Sequence, residues 1–326
     1  MNIVVTGAAG FIGFHTVKRL IAERNHVVGI DNLNDYYDVR LKKYRLELLE
    51  KLEGFTFIKC DLSEKDQCED AFENIKVDVI IHLAAQAGVR YSIINPYSYT
   101  KNNVEAFLNI LEICRHNKIP RLCYASSSSV YGGLTTFPFK ETMQVDTPIS
   151  LYAATKKSNE LMAHTYSHLY GIETIGFRFF TVYGPVGRPD MAMWLFTDAI
   201  LKGEAIKVFN HGKMKRDFTY IDDIVAGLNA SVDASMPSKC EIFNLGNSKN
   251  EELGDLIKYV ESYLGKEAAK EMLPMQAGDV EETFADVSKA NKYLEFSPST
   301  QLKDGIKEFT EWFTKEWLPY LGDQKK

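Results

Sequence analysis

Three glycines at a spacing of three, Gly7, Gly10 and Gly13, follow the apolar run Ile3-Val4-Val5 and open a stretch with Phe11, Val17, Leu20 and Ile21 on one stripe. A strand, a tight glycine turn and a helix in that order restrict the start of the chain severely. The backbone can then pass close to a pyrophosphate, and the helix N-terminus stabilises the anion. The pattern is GxxGxxG rather than the commoner GxGxxG. Alone it is a weak signal, and the flanking strand and helix give it meaning. Gly7, Gly10, Phe11, Ile12 and Gly13 are therefore the first candidate cofactor residues.

The same alternation continues. Ile3–Val5, Val27–Ile30, Phe55–Cys60, Val79–Leu83, Leu122–Ala125 and Thr174–Phe180 read as short buried strands, with helical stretches over Gly10–Ala22, Tyr36–Leu52 and Val104–His116. This predicts an α/β architecture, a doubly wound parallel sheet with helices on both faces. Residues 1–180 are expected to form the cofactor domain. Residues 181–326 form a smaller substrate lobe, with some segments returning to the first.

Asp31 lies eighteen residues after Gly13, at the end of the second strand. A carboxylate there accepts hydrogen bonds from ribose hydroxyls and repels a 2′-phosphate, which favours NAD over NADP. Asp31 also suits a turn before Asn32. Asp61-Leu62, after the third strand, can hold an adenine, and Asp61 equally suits a cap before the next helix. The small residues of Leu83-Ala84-Ala85-Gln86-Ala87-Gly88 let a backbone pass close to a cofactor.

Tyr152 and Lys156 stand four positions apart in Ser150-Leu151-Tyr152-Ala153-Ala154-Thr155-Lys156, on one helix face. An ammonium there is expected to lower the phenol pKa from about 10 by favouring the phenolate. A phenolate beside a nicotinamide suits the oxidation of an alcohol at a sugar or similar carbinol.

Composition closes off other classes. A net charge of −6 offers no basic field for nucleic acid or an anionic membrane. No apolar run approaches a membrane span, and a glycine loop beginning at residue 7 leaves no room for a signal peptide. Five cysteines without a CxxC pair suit reduced thiols in a cytoplasm. His164 and His168 are four apart, but position 165 is Thr rather than a zincin Glu, so no metal is expected.

In order along the chain, Thr6-Gly7-Ala8-Ala9-Gly10-Phe11-Ile12-Gly13, Asp31-Asn32, Asp61-Leu62 and His82-Leu83-Ala84-Ala85 are followed by Ser126-Ser127-Ser128-Ser129-Val130-Tyr131-Gly132, Tyr152 with Lys156, Arg178-Phe179-Phe180-Thr181-Val182-Tyr183-Gly184-Pro185 and Arg216-Asp217-Phe218-Thr219-Tyr220-Ile221-Asp222-Asp223. Gly278-Asp279 closes the series. Together they resemble the extended short-chain dehydrogenase/reductase family in its nucleotide-sugar branch. That resemblance implies a Rossmann-type fold, bound NAD, a UDP-sugar substrate and a homodimer. Asp31–Tyr37, Ala85–Ser92 and Gly184–Met191 are most similar to members that epimerise UDP-glucuronate at C4 through a 4-keto sugar.

By the same resemblance Tyr152 is the acid/base, Lys156 holds the nicotinamide ribose, and Ser127 bonds the reacting hydroxyl, with Ser126 and Ser128 open as registers. Asn103 falls near the cofactor and also suits a helix N-terminus. Members that dehydrate or decarboxylate carry an acidic residue where Ser128-Ser129 stand, which argues for epimerisation here. UDP-galactose epimerases commonly carry Asn at the place of Thr181. Thr181 with Ser127 and Ser128 can form a hydroxyl cradle for a carboxylate. Arg188 and Arg90 are the cations near the sugar. Arg216 resembles the diphosphate-binding arginine, Val208-Phe209-Asn210 would flank the uracil, and Asp279 a ribose hydroxyl, although Gln276 replaces a common arginine nearby. UDP-glucose/UDP-galactose 4-epimerisation is the neighbouring reading. A non-catalytic NAD-binding regulatory protein is the reading from another class.

Overall fold

A computed structural model describes residues 1–275 and 280–324. Seven strands form one parallel sheet: β1 (Asn2–Thr6), β2 (His26–Asp31), β3 (Phe55–Lys59), β4 (Val79–His82), β5 (Arg121–Ala125), β6 (Glu173–Phe179) and β7 (Cys240–Leu245). Their spatial order is 3-2-1-4-5-6-7. The sheet is buried on both faces, as a parallel sheet must be. Ile3 and Val5 enter one core with Phe11, Phe14, Val17 and Leu20 of the helix Phe11–Ala22. Val4, Ile30 and Ile80 enter the other, against Phe107, Ile110 and Leu111 of the helix Ala106–His116.

The strand order reverses between β1 and β4, and a crevice opens at their carboxyl ends. Thr6 and His82 end those two strands side by side. The Thr6 hydroxyl lies 2.8 Å from His82 Nδ1. It accepts from the N–H groups of Leu83 and Ala84 at 3.2 and 3.1 Å, so its own proton goes to His82. The remaining strands pair off in the second half. Ile206–Phe209 joins Lys270–Leu273, Thr181–Tyr183 joins Phe218–Tyr220, and Lys215–Arg216 joins Glu251–Glu252. No helix among the described residues is long and apolar enough to cross a bilayer.

A buried histidine, His82, and a half-buried one, His15, set an acid limit on this fold. Burial, aided by the Lys156 charge, lowers the His82 pKa to about 3. Burial lowers that of His15 to about 4, although its Nε2 bonds the Pro185 carbonyl at 3.0 Å. Each binds fewer protons folded than unfolded. Their contribution is complete above the unfolded value of about 6.5 and is lost as pH falls toward 4 and 3. Thermal midpoints measured from pH 7.5 to 4.5 are expected to fall, and less steeply in His82→Asn, which keeps an acceptor for Thr6. An equal slope in that variant would remove His82 from the account.

Candidate active site

The crevice is the mouth of a cavity of roughly 870 Å³. Gly7, Gly10, Phe11, Ile12 and Gly13 line one end. Gly7 has φ +70°, and a Cβ there would stand 2.8 Å from Ala84 N. A Cβ on Gly13 would stand 2.1 Å from the Gly7 carbonyl oxygen. The loop thus lies against β4 and the helix against the loop, with no room for side chains at either contact. Asp31 Oδ2 accepts from Ala9 N at 3.2 Å and Oδ1 from Leu33 N at 2.8 Å. It serves as a turn residue and a cavity residue at once. Asn32, Asp61, Leu62, Leu83, Ala84 and Ala85 complete this wall. Asp61 Oδ1 accepts from Ser63 N at 3.0 Å, which closes a turn rather than capping the helix Lys65–Phe72, whose N-terminus follows Glu64 without a side-chain cap. The cradle has the shape, the helix terminus and the carboxylate that a dinucleotide needs, so the residues fit NAD.

Asn103 does not reach the cavity wall. Its amide is buried, accepting from Gln86 N at 2.7 Å and donating to Gln86 O and Thr155 Oγ1, both at 3.1 Å. It joins the loop after β4 to the helix Leu151–Tyr170.

That helix starts at Ser150, whose hydroxyl caps Ala153 N at 3.1 Å. Tyr152 and Lys156 face the cavity together. The expected tuning of the phenol by Lys156 needs correction. Lys156 Nζ donates to the Ala125 carbonyl at 2.9 Å, and burial lowers its pKa to about 8. Burial also pushes Tyr152 above its ordinary value, opposed by the neighbouring Ser127 hydroxyl and by the Arg188 charge. Desolvation outweighs helix spacing here, and Arg188 is the cation that favours the phenolate.

The serines of this run differ in their partners. Ser126 Oγ is buried and donates to Glu160 Oε1 at 2.7 Å. Ser127 Oγ accepts from Ser129 N at 3.1 Å, and its hydroxyl acts on Tyr152 in the direction of the phenolate. Ser128 and Thr181 stand on the same wall.

Arg188 reaches this end as well, in a bidentate pair with Asp190, Nε to Oδ1 at 3.0 Å and Nη2 to Oδ2 at 2.5 Å. Tyr36 donates to Asp190 Oδ2 at 3.1 Å, which ties the loop after β2 to the Arg188 loop. Arg90 stacks on Phe209, 5.2 Å from guanidinium to ring centroid. Side chains alternate along Ile206–Phe209. Lys207 and Phe209 line the cavity, as does Ile206 at the strand's start, whereas Val208 points into the core and Asn210 sits in the following turn, off the wall. Arg216 lines the far end and donates to the Lys215 and Glu281 carbonyls at 2.9 and 3.1 Å. Gln276 and Asp279 lie outside the described residues. Asp223 accepts from Ser299 N and Thr300 N.

Residues 3–246 match the model of the NAD dependent epimerase/dehydratase family. The chain belongs to that family. An uncharacterized protein of Methanocaldococcus jannaschii is 53% identical over 97% of this chain and 98% of its own. UDP-glucuronate 4-epimerase 4 of Arabidopsis thaliana is 45% identical over 100% of this chain and 77% of its own. The crystal structure of the UDP-glucuronic acid 4-epimerase of Bacillus cereus, in complex with UDP-glucuronic acid and NAD, superposes with a TM-score of 0.89 at 35% identity, covering 97% of this chain and 99% of that one. These relatives place the chain among the NAD-dependent nucleotide-sugar 4-epimerases.

Within this family member, several residues escape a reading of motifs. Arg45 is fully buried and spends all five donors. Nη1 goes to Ala9 O and Tyr37 Oη, Nη2 to Val186 O and Gly187 O, and Nε to Val186 O. It fastens the glycine loop to the loop that carries Arg188. Lys42 lines the cavity and donates to Asn34 Oδ1 at 2.7 Å. Both lie on a helix rich in basic residues, where nothing local separates a buried cation from a solvated one. Asp190 was within sight, two residues after Arg188.

Proposed function

We propose that the chain interconverts UDP-glucuronate and UDP-galacturonate by inverting C4. The observation that carries this reading is the constellation at one end of the cavity. The Ser127 hydroxyl and the Arg188 charge both act on Tyr152, and Ser127, Ser128, Thr181 and Arg188 line the same cavity. It supplies a proton acceptor for an alcohol, hydroxyl donors for a carboxylate and one guanidinium.

Gly7, Gly10, Gly13 and Asp31 would hold the pyrophosphate and ribose of NAD, and Lys156 the nicotinamide ribose. NAD supplies an acceptor, and later a donor, for the C4 hydrogen with its electron pair. Tyr152 takes the O4 proton, with the Ser127 hydroxyl sharing the proton path, and gives it back after the 4-keto sugar has turned over. Arg216 and Phe209 hold the UDP end meanwhile, so the sugar rotates without leaving. Asp190 takes two of the five donors of Arg188 and leaves three for the substrate. Turnover of UDP-glucuronate against UDP-glucose tests this assignment. A kcat/KM at least about a hundredfold higher for the acid is expected from charge-assisted bonds. Equal values would move the assignment to UDP-glucose/UDP-galactose.

The keto intermediate is a β-keto acid, and it loses CO₂ when the C5–carboxylate bond aligns with the carbonyl π system. The Thr181, Ser127 and Ser128 hydroxyls hold the carboxylate out of that alignment. Thr181→Ala is expected to raise KM roughly ten- to a hundredfold, for the loss of one hydrogen bond to an anion, and to release CO₂ and a UDP-pentose. Weaker binding with no CO₂ would remove this role.

Leu108, Leu161, Leu169 and Tyr170 lie exposed on the helices Ala106–His116 and Leu151–Tyr170. That apolar surface supports pairing of two copies through these helices. Sedimentation of a monomer at micromolar concentration would contradict it.

A further inference from the structure

Behind the cavity lies a buried polar network in which no reacting group takes part. Glu160 and Arg178 are each only 2% exposed in their side chains and form a two-bond ion pair, Nε to Oε1 at 2.8 Å and Nη2 to Oε2 at 2.9 Å. Ser126 donates to the same Oε1 at 2.7 Å. Arg178 Nη1 donates to Tyr131 Oη at 3.0 Å, with its guanidinium 4.9 Å from the Tyr131 ring centroid. Tyr131 in turn donates to Asn244 Oδ1 of β7 at 2.7 Å. Lys157 Nζ approaches Glu160 Oε2 at 3.6 Å from the solvent side.

The placement of these residues along the chain is what matters. Glu160 lies on the helix of Tyr152 and Lys156, one turn beyond Lys156. Ser126 immediately precedes Ser127. Arg178 lies three residues before Thr181, near the end of β6. One carboxylate therefore joins the three segments that carry the acid/base, its hydroxyl partner and the carboxylate cradle. An apolar core would hold the helix against the sheet without this carboxylate, since a buried ion pair replaced by apolar groups often costs no stability. Directional bonds add what apolar packing lacks, a fixed register between the segments.

We propose that Glu160 is the positioning residue of the active site, and that its bonds to Ser126 and Arg178 set Ser127 and Thr181 against Tyr152. This rests on the reading of Tyr152 and Ser127 as the reacting pair, under either UDP-sugar assignment. Glu160 touches neither substrate nor cofactor in this role. It acts through Ser126 and Arg178.

The test compares Ser126→Ala, Glu160→Gln and wild type on whichever of UDP-glucuronate and UDP-glucose the wild type turns over. Thermal midpoint and bound NAD are measured in parallel. Glu160→Gln leaves the Arg178 charge without its counter-ion and is expected to lower the thermal midpoint, so the milder Ser126→Ala decides. It keeps the ion pair and removes only the link to the serine run. A small misplacement of Ser127 is expected to lower kcat about tenfold in Ser126→Ala, and about a hundredfold in Glu160→Gln. KM, bound NAD and the Ser126→Ala thermal midpoint should stay near wild type. An unchanged kcat in Ser126→Ala, or a kcat that falls only in step with thermal midpoint or NAD content, would overturn the proposal. Wild type acting on UDP-glucose alone would revise the substrate and leave this comparison intact. Wild type acting on neither would overturn both.

Discussion

Tyr152→Phe is expected to lower kcat by about a thousandfold while the protein stays folded and keeps its NAD. The magnitude is that of losing a positioned acid/base, about 10²- to 10⁴-fold. The substitution is clean because the ring has its own packing. Tyr152 meets Tyr99 edge to face, with centroids 6.0 Å apart, and a phenylalanine ring keeps that contact. Only the hydroxyl is lost, the group on which Ser127 and the Arg188 charge act. Single-turnover kinetics with a nucleotide assay on the denatured protein separate the two quantities. A variant with near-normal turnover would overturn the assignment of Tyr152. One that had lost its NAD would show that Tyr152 serves mainly to hold the cofactor.

Gly13→Ala carries the second large effect, on the cofactor rather than on the chemistry. A methyl group at Gly13 would stand 2.1 Å from the Gly7 carbonyl oxygen and 2.8 Å from its carbon. Both are backbone atoms of a loop already pressed against β4, so no side chain can swing aside. The helix Phe11–Ala22 must move away from the loop, and its N-terminus moves from the pyrophosphate site. Overpacking of this kind costs about 1–3 kcal/mol, which as binding energy is up to roughly a hundredfold in NAD affinity. Gly254→Ala is the matched control. Gly254 lies in the helix Leu253–Leu264, and a Cβ there meets nothing within 4 Å. Helix propensity predicts a gain of up to about 1 kcal/mol there. Equal NAD content in Gly13→Ala and Gly254→Ala would remove the glycine loop from the cofactor site.

The strands that built the cofactor half were legible because each is a short, largely apolar run, buried on both faces except at the edge strand β3. β7 was not, since Cys240-Glu241-Ile242-Phe243-Asn244-Leu245 mixes polar and apolar residues. Glu241 pairs with Lys289 at 2.6 Å, and Asn244 serves Tyr131 and the Phe139 carbonyl. Those partners lie 48 residues ahead of Glu241 in one case and more than 100 behind Asn244 in the other, beyond the reach of periodicity. The same holds for Arg45, Glu160 and Arg178. Charged residues on helices and strands are ordinarily solvated, and only tertiary packing shows these three enclosed. Tyr152, Ser127 and the glycine loop were readable because their chemistry is local. The tuning of Tyr152 was misjudged for the opposite reason. Spacing on a helix gives proximity, whereas the cost of burying Tyr152 and the approach of Arg188 from a distant loop are features of the whole fold.

The central claim is C4 inversion of an acidic UDP-sugar without loss of its carboxylate. The most direct measurement is incubation with UDP-glucuronate, with and without added NAD, followed by NMR of the sugar anomeric region and a CO₂ assay. UDP-galacturonate with no CO₂ is the predicted result. UDP-xylose with CO₂, or an accumulating keto sugar, would contradict it and give Ser128-Ser129 a different chemistry.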